Sequence, residues 1–501
     1  MAGIGFELKK LFAKKGLFAS IKAYGYAGII CAGPMLLGVI LLLGARFITG
    51  YAGASGHERE LLNSMLTYAL LASLTLTSLF SMATTRAIAD LYYLKQLERI
   101  MPTFYGSIAV MLVIGVPGYG IFLLFSGVSF IYKVLSLVYF AVLIVVWTEI
   151  NYLTAIKNYK EILATFFISL LCALLLGALF SLRLDIEPIT GMFIGIIIGY
   201  GIMMVRYFIV IYRYFPEGKG TCMHFLRWFD NYPQLTVIGF FITIGLFGHL
   251  VIMWGSRIGV QVQGLFYGAP VYDIPALLAF LSILITTVNF VTSVEVRFYP
   301  CYRDYFSLFN DKGSLEDIED AEKNMLVVLR EELIYLAQKQ VFTTVFFIIL
   351  GTLLLPMAGL GFTREMLGIY RVLCVGYAFY AIGNSIMLIQ LYFADNKNAL
   401  KSAIHFMICS VVLTFIFKDM SAAFYGFGFL IGGAVYFLSA LIKLNSYLKK
   451  IKYHVLSCQP VFKAETRGIF TPLCDWLEAR YIRNAQKSKY STNTYYGEFK
   501  I

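Results

Sequence analysis

Charge is what this chain of 501 residues has least of. Asp, Glu, Lys and Arg make up 14% of it, and hydrophobic residues 59%. A soluble domain carries about 25% charged residues. A water-exposed fold of this composition would leave large apolar areas uncovered, which excludes an ordinary soluble protein. Also missing are the phosphate-cradling GxxxxGK[ST] loop, the GxSxG elbow and the HExxH metal helix. No CxxC pair and no His–Cys cluster occurs, so neither a structural metal nor a cofactor is expected. The net charge of +12 has no separate basic domain to carry it. That argues against nucleic acid and for basic loops beside a membrane.

What is present is a series of apolar windows about twenty residues long. They fall near 23–47, 61–85, 103–125, 134–156, 162–182, 189–211, 234–255, 274–294, 341–360, 372–393, 402–417 and 424–444. A helix of about twenty residues is long enough for a hydrocarbon core of about 30 Å. Each window must be helical, because an open strand would leave backbone groups unpaired in lipid. The first window follows Lys9, Lys10, Lys14, Lys15 and Lys22. It is too long for a secretory h-region of 7–15 residues, so it reads as a retained first span. Residues 1–22 form a basic segment for the interface, with Leu8, Leu11 and Phe12 on one arc.

Twelve spans put both termini on one side. With that side cytoplasmic, the 41 Lys and Arg residues divide 33 inside to 8 outside, as the positive-inside rule requires. None of the eight cysteines falls in an outside loop, so no disulfide is expected.

The chain reads as two halves. TTRAIADLYY closes span 2 and SVEVRFYPCYRDYF closes span 8; AIKNYKE closes span 4 and ADNKNALK span 10. Arg86 and Arg297 are 211 residues apart, Lys157 and Lys397 are 240 apart, and the difference of 29 nearly equals the 27 residues of Ser314–Gln340. Removing that insertion aligns the halves as a parallel repeat. The expected plan is an N-lobe at 23–211, a cytoplasmic linker at 212–233 and a C-lobe at 234–447. Residues 314–340 are an amphipathic cytoplasmic helix opened by a Ser314/Asp317 capping box. The tail at 448–501 holds a short helix at 472–485, capped by Thr471 with Pro472 in its first turn.

Few polar groups lie at membrane depth, where they usually face a cavity. Span 4 offers Trp147, Glu149, Asn151 and Tyr152, with Glu149 and Tyr152 on one face. A carboxylate beside aromatic faces suits a sugar, and the competing reading is that Glu149 pairs with Lys157 or Arg86. Asn289 in span 8, with Asn384 and Gln390 in span 10, complete the candidate substrate path. At the cytoplasmic mouth, Arg86, Asp90, Glu295, Arg297, Tyr302 and Arg303 are candidate mouth or docking residues. His249 and His405 look isolated.

The segments MAGIGFELKKLF, TTRAIADLYYLKQLERIMPTFYG and SVEVRFYPCYRDYF…GSLEDIE resemble, in this order, the Pel exopolysaccharide exporter family, PelG. The likeness extends over nearly the whole chain. It implies an all-α polytopic protein of the MOP flippase superfamily, with two six-helix lobes around a central cavity. It implies export of an N-acetylgalactosamine-rich polysaccharide across the bacterial cytoplasmic membrane. The implied partners are a cytoplasmic glycosyltransferase that uses a UDP-sugar, and companion membrane subunits that include a cyclic di-GMP receptor. Alternatives of the same fold are a lipid-linked oligosaccharide flippase and a cation-coupled antiporter. A membrane acyltransferase or a purely structural subunit stands further off, because His405 lacks an evident catalytic partner.

Overall fold

The computed structural model describes residues 17–156, 158–184, 186–310, 313–357, 361–457 and 468–497. Most of the basic N-terminal segment, Lys157 and Cys458 therefore lie outside the described residues. The first helix, α1, is Leu17–Tyr51. Then follow α2 (Gly56–Tyr93), α3 (Ile100–Phe125), α4 (Phe130–Ile156), α5 (Tyr159–Arg183) and α6 (Pro188–Tyr214). The second half comprises α7 (Pro233–Trp254), the interrupted α8 (Pro270–Phe309), α9 (Leu315–Leu354), α10 (Arg364–Tyr392), α11 (Asn396–Phe417) and α12 (Phe427–Leu448). Among the described residues, the eleven from α2 on are long and apolar enough to cross a membrane. With α1 the count is the predicted twelve.

The halves repeat in their packing. α1 lies on α5 as α7 lies on α11, and α5 on α6 as α11 on α12. α4 contacts α2 and α6, and α10 contacts α8 and α12. Between the halves, α2 meets α7 and α1 meets α8, a pattern that maps onto itself when the halves are exchanged. The repeat read from flanking residues is thus present in three dimensions. Its end residues are equivalent too: Asn158 caps α5 and Asp395 caps α11. Each half has its own apolar core, and a third cluster lies at the terminus-bearing end of the C-lobe.

Lipid offers no hydrophobic drive between helices, so close backbone packing must supply the attraction. Where α2 crosses α7, a Cβ on Gly239 would lie 2.5 Å from the Ser78 carbonyl oxygen; only glycine fits there. Much of the Thr/Ser run of α2 bonds within the helix, with Thr77 and Thr85 hydroxyls donating to Ser73 and Ser81 carbonyls at 2.9 and 2.7 Å; the buried Thr84 hydroxyl has no partner among the described residues.

Two elements differ from expectation. The insertion at 314–340 and the ninth span are one unbroken helix, α9, of 40 residues, opened by the expected Ser314/Asp317 capping box. Its first half packs Met325 and Leu329 into the third core with Phe298, Tyr305 and Ile451. Beyond α12 a short helix, α13 (Ile451–Ser457), returns to it, and Lys452 Nζ meets Glu319 Oε1 at 2.9 Å. α8 extends well past the expected 274–294 and is broken twice, by a 3-10 turn at Leu281–Ile283 and a π segment at Val294–Phe298. The tail helix, α14, runs Phe470–Gly497.

Candidate functional site

The first break in α8 opens a cavity of about 140 Å³ against α10. Its wall combines Phe280, Phe290 and Tyr380 with the polar Thr286, Thr287, Asn384 and Ser385. No charged residue lines it. Drug-sized ligand sites run to ~300–1,000 Å³, so this space suits a single ring. Polar groups here are partly spent. Thr286 Oγ1 donates to Gln340 Oε1, Ser385 Oγ to the Ala381 carbonyl at 2.8 Å, and Thr287 Oγ1 to the Ile283 carbonyl at 3.2 Å. Asn384 accepts from the Tyr436 hydroxyl at 3.4 Å through Oδ1. That leaves the Asn384 amide N–H groups to donate to an occupant, beside aromatic faces that can stack on it.

Of the residues predicted to line a path, Asn384 lies on this cavity. Asn289 is buried in the same helix as Thr286 and Phe290. Gln390 ties α10 to α12, donating from Nε2 to the Ala440 carbonyl at 3.0 Å, while its Oε1 has no donor among the described residues. The span 4 group sits apart, in the N-lobe. Trp147 Nε1 donates to Ser73 Oγ at 3.2 Å and Asn151 is half-buried. Tyr152 is fully buried, edge-on to Phe104 at 5.0 Å. Glu149 is 1% exposed, and neither carboxyl oxygen has a hydrogen-bond partner among the described residues. It does not pair with Arg86, which meets Asp90 at 3.0 Å; Lys157, the other expected partner, lies outside the described residues.

The mouth residues form contacts at the terminus-bearing end. The Arg86 guanidinium also covers the Tyr232 ring at 5.2 Å, and Asp90 accepts from Trp228 Nε1 at 3.0 Å. Arg297, in the π segment, bonds the buried Glu332 of α9 at 2.9 Å. The Tyr302 hydroxyl donates to the Tyr392 carbonyl at 3.0 Å, and Arg303 faces Asp304 at 3.4 Å. The Glu295 side chain lies outside the described residues.

Sequence reading missed two links between the lobes. At the end away from the termini, β1 (Val260–Gln263) and β2 (Phe266–Gly268) form an antiparallel hairpin between α7 and α8. Its Phe266 is fully buried in the N-lobe core, edge-on to Tyr68 and Phe122. The Tyr68 hydroxyl takes a hydrogen bond from the Tyr267 amide at 3.0 Å and donates to the Tyr267 carbonyl at 3.2 Å. The Leu265 amide donates to the Ser126 carbonyl at 3.0 Å. The seat is glycine on glycine: Gly264 (φ +55°) rests on Gly127 (φ +73°), and a Cβ on Gly264 would fall 1.9 Å from the Ser126 oxygen.

At the other end, α14 follows the C-lobe in sequence but docks on the segment joining the lobes. Asp230 Oδ2 accepts from both the amide and the hydroxyl of Thr471, at 2.6 and 2.7 Å. The helix thus starts at Phe470 and is held by Asp230 from outside, not capped by Thr471 as expected. Arg227 bridges Asp475 at 2.5 Å and Glu478 at 3.1 Å, and Cys474 is buried under Met223. His224 Nδ1 meets Glu478 Oε1 at 2.6 Å, and its other nitrogen meets Arg99 at 3.0 Å. Burial pushes the His224 imidazole below its ordinary value; Arg99 and Arg227 push the same way, and Glu478 opposes them. A histidine depressed in the docked state contributes full strength above its ordinary value of about 6.5 and loses it as pH falls. Acidifying from pH 8 to below 6 should therefore lower the hydrogen-exchange protection factors of residues 470–483, and His224→Gln should flatten that response. Exchange with no pH dependence beyond its intrinsic chemistry would show that His224 does not govern the dock.

The chain matches across residues 1–456 the family described as "PelG: Putative exopolysaccharide Exporter (EPS-E)". α14 lies beyond that match. No curated protein is a detectable sequence relative. Solved structures are similar in fold. An outward-facing multidrug resistance MATE transporter of the MOP superfamily superposes with TM-score 0.57 at 14% identity, covering 85% of this chain and 96% of that one. A MATE transporter in the bent conformation gives 0.56 at 14%, covering 86% and 97%. A Pyrococcus furiosus MOP transporter, noted for reverse polarity of its binding pocket, gives 0.53 at 12%, covering 85% and 96%. At such identities the likeness establishes the fold alone.

Proposed function

The chain belongs to the PelG exopolysaccharide exporter family, and from that premise we propose that it exports a neutral, N-acetylgalactosamine-rich polymer across the bacterial cytoplasmic membrane. In this reading both termini are cytoplasmic, as the distribution of basic residues favours. A glycosyltransferase using a UDP-sugar delivers the chain at the mouth around Arg86 and Arg297. Companion membrane subunits, one of them a cyclic di-GMP receptor, sit beside it. The observation that carries the reading is the uncharged cavity between α8 and α10, where amide and hydroxyl groups face aromatic rings. An acetylated sugar presents the matching acceptors, donors and C–H faces. A flippase for lipid pyrophosphates would need cations at the corresponding place, and none lines this wall.

The test is secretion by Asn384→Ala and Thr287→Val, alone and together, normalised to the amount of exporter in the membrane. Hydrogen bonds of ~0.5–1.5 kcal/mol each predict a loss of roughly three- to ten-fold per change. Wild-type secretion from the double variant would remove the cavity from the path.

A further inference from the structure

His405 is not the isolated histidine that its sequence neighbours imply. Its Nδ1 meets Ser439 Oγ of α12 at 2.9 Å, and Lys443 Nζ donates to the same oxygen at 2.9 Å. The two basic groups are 3.5 Å apart. Lys401 lies four residues before His405, on the same face of α11. Ser402 adds a second hydroxyl, 3.3 Å from Ser439 Oγ. Three basic side chains thus gather in one groove between antiparallel helices. Among the described residues none of the three is in an ion pair. Asp395, the acid at this end, accepts from the Asn398 backbone and side-chain amides and acts on Lys443 only through space, without an ion pair.

The groove opens toward lipid. Lys401 and His405 are exposed and continue into Ile408, Val412 and Phe415, each exposed by about half its surface or more (47%, 48% and 61%). On α12, Leu438 and Ile442 flank Ser439 and Lys443 and are equally open. An apolar strip of this kind at membrane depth is a surface for acyl chains. Its basic head stands near the mouth end, where α11 begins and α12 ends. The two lysine charges repel one another across this groove unless an anion joins them. Basic pockets between spanning helices on the cytoplasmic side suit lipid phosphate groups.

We propose that the α11–α12 groove binds the phosphate of an anionic membrane phospholipid. Lys401, His405 and Lys443 contact the phosphate oxygens, Ser402 and Ser439 hold the basic groups in place, and an acyl chain runs along Ile408, Val412 and Phe415. The proposal is independent of the polymer that the protein carries.

The full chain, stripped of endogenous lipid and placed in nanodiscs, provides the test. Native mass spectrometry counts the lipid retained from bilayers of phosphatidylglycerol and of phosphatidylcholine. Wild type should keep one phosphatidylglycerol and no matching phosphatidylcholine. A lysine near an anionic headgroup is worth roughly five-fold in binding, so Lys401→Gln with Lys443→Gln should lower retention about 25-fold, and Lys443→Arg should preserve it. Equal retention of the two lipids, or unchanged retention in a monodisperse double variant, would overturn the proposal. So would retention abolished by millimolar inorganic phosphate, because the site would then serve a soluble anion.

Discussion

Gly264→Val unseats the hairpin from the N-lobe, and export falls at least ten-fold. The substitution meets two obstacles at once. Its Cβ would lie 1.9 Å from the Ser126 carbonyl oxygen, an impossible contact with backbone on the far side. The φ of +55° also disfavours a β-branched residue. Neither is relieved by a rotamer change, so the tip must lift away. Lifting it exposes Phe266, which is fully buried, and leaves the Tyr68 hydroxyl without its two backbone partners. The readout is a cysteine at Val128, one residue beyond Gly127 and buried in wild type. A membrane-impermeant maleimide should label Val128→Cys at least ten-fold faster in the Gly264→Val background. Tyr68→Phe should act in the same direction and more weakly, because it removes hydrogen bonds but no volume. Unchanged labelling would mean that the hairpin is not a seal between the lobes.

The second large effect is expected at Glu149, where stability and activity should move in opposite directions. A buried carboxyl group deprived of water and of hydrogen-bond partners costs about 1–3 kcal/mol or more, and both Glu149 oxygens are in that position among the described residues. Gln keeps the shape and removes the acid; Leu removes the polar group altogether. Both variants should fold, and Glu149→Leu should melt several degrees above wild type. Secretion should nevertheless fall at least ten-fold in each, on the view that a group so poorly served here is served in another state of the transport cycle. Higher melting temperature with wild-type secretion would make Glu149 a tolerated defect of the core. Lower melting temperature would show that the carboxyl has partners in the resting protein.

The spans were legible because lipid leaves a chain so little choice. Twenty apolar residues in a row have one solution, and the repeat could be read from Arg86, Arg297 and the Lys-Asn pairs at helix ends. Reading failed where a helix changes its surroundings along its length. Glu331, Glu332 and Lys339 break the hydropathy of α9 and made one helix look like two. In the fold, Glu332 is buried against Arg297, 35 residues earlier in the chain. The hairpin carries a brief alternation, VQVQ-GLFYG, too short to stand out among longer apolar runs. The docking of α14 on Asp230 joins residues 241 apart, and no local pattern encodes that. The cavity was half legible: Asn384 stood out as an amide in a span, whereas Thr287 and Tyr380 have many idle counterparts elsewhere. Trp147, Glu149, Asn151 and Tyr152 share one stretch of α4 as expected, but in the N-lobe and away from that cavity.

The unbroken α9 has a mechanical meaning. Forty residues make a helix about 60 Å long, twice the ~30 Å that hydrocarbon occupies. One half has the length and hydropathy of a bilayer crossing, and the other lies on the third core, braced by Lys452 and Glu319. A tilt of roughly ten degrees about the middle of α9 would carry its Leu315 end, with the core packed on it, through about 5 Å. Whatever engages that end would be displaced by an atomic distance for each such tilt, with no soluble messenger between them.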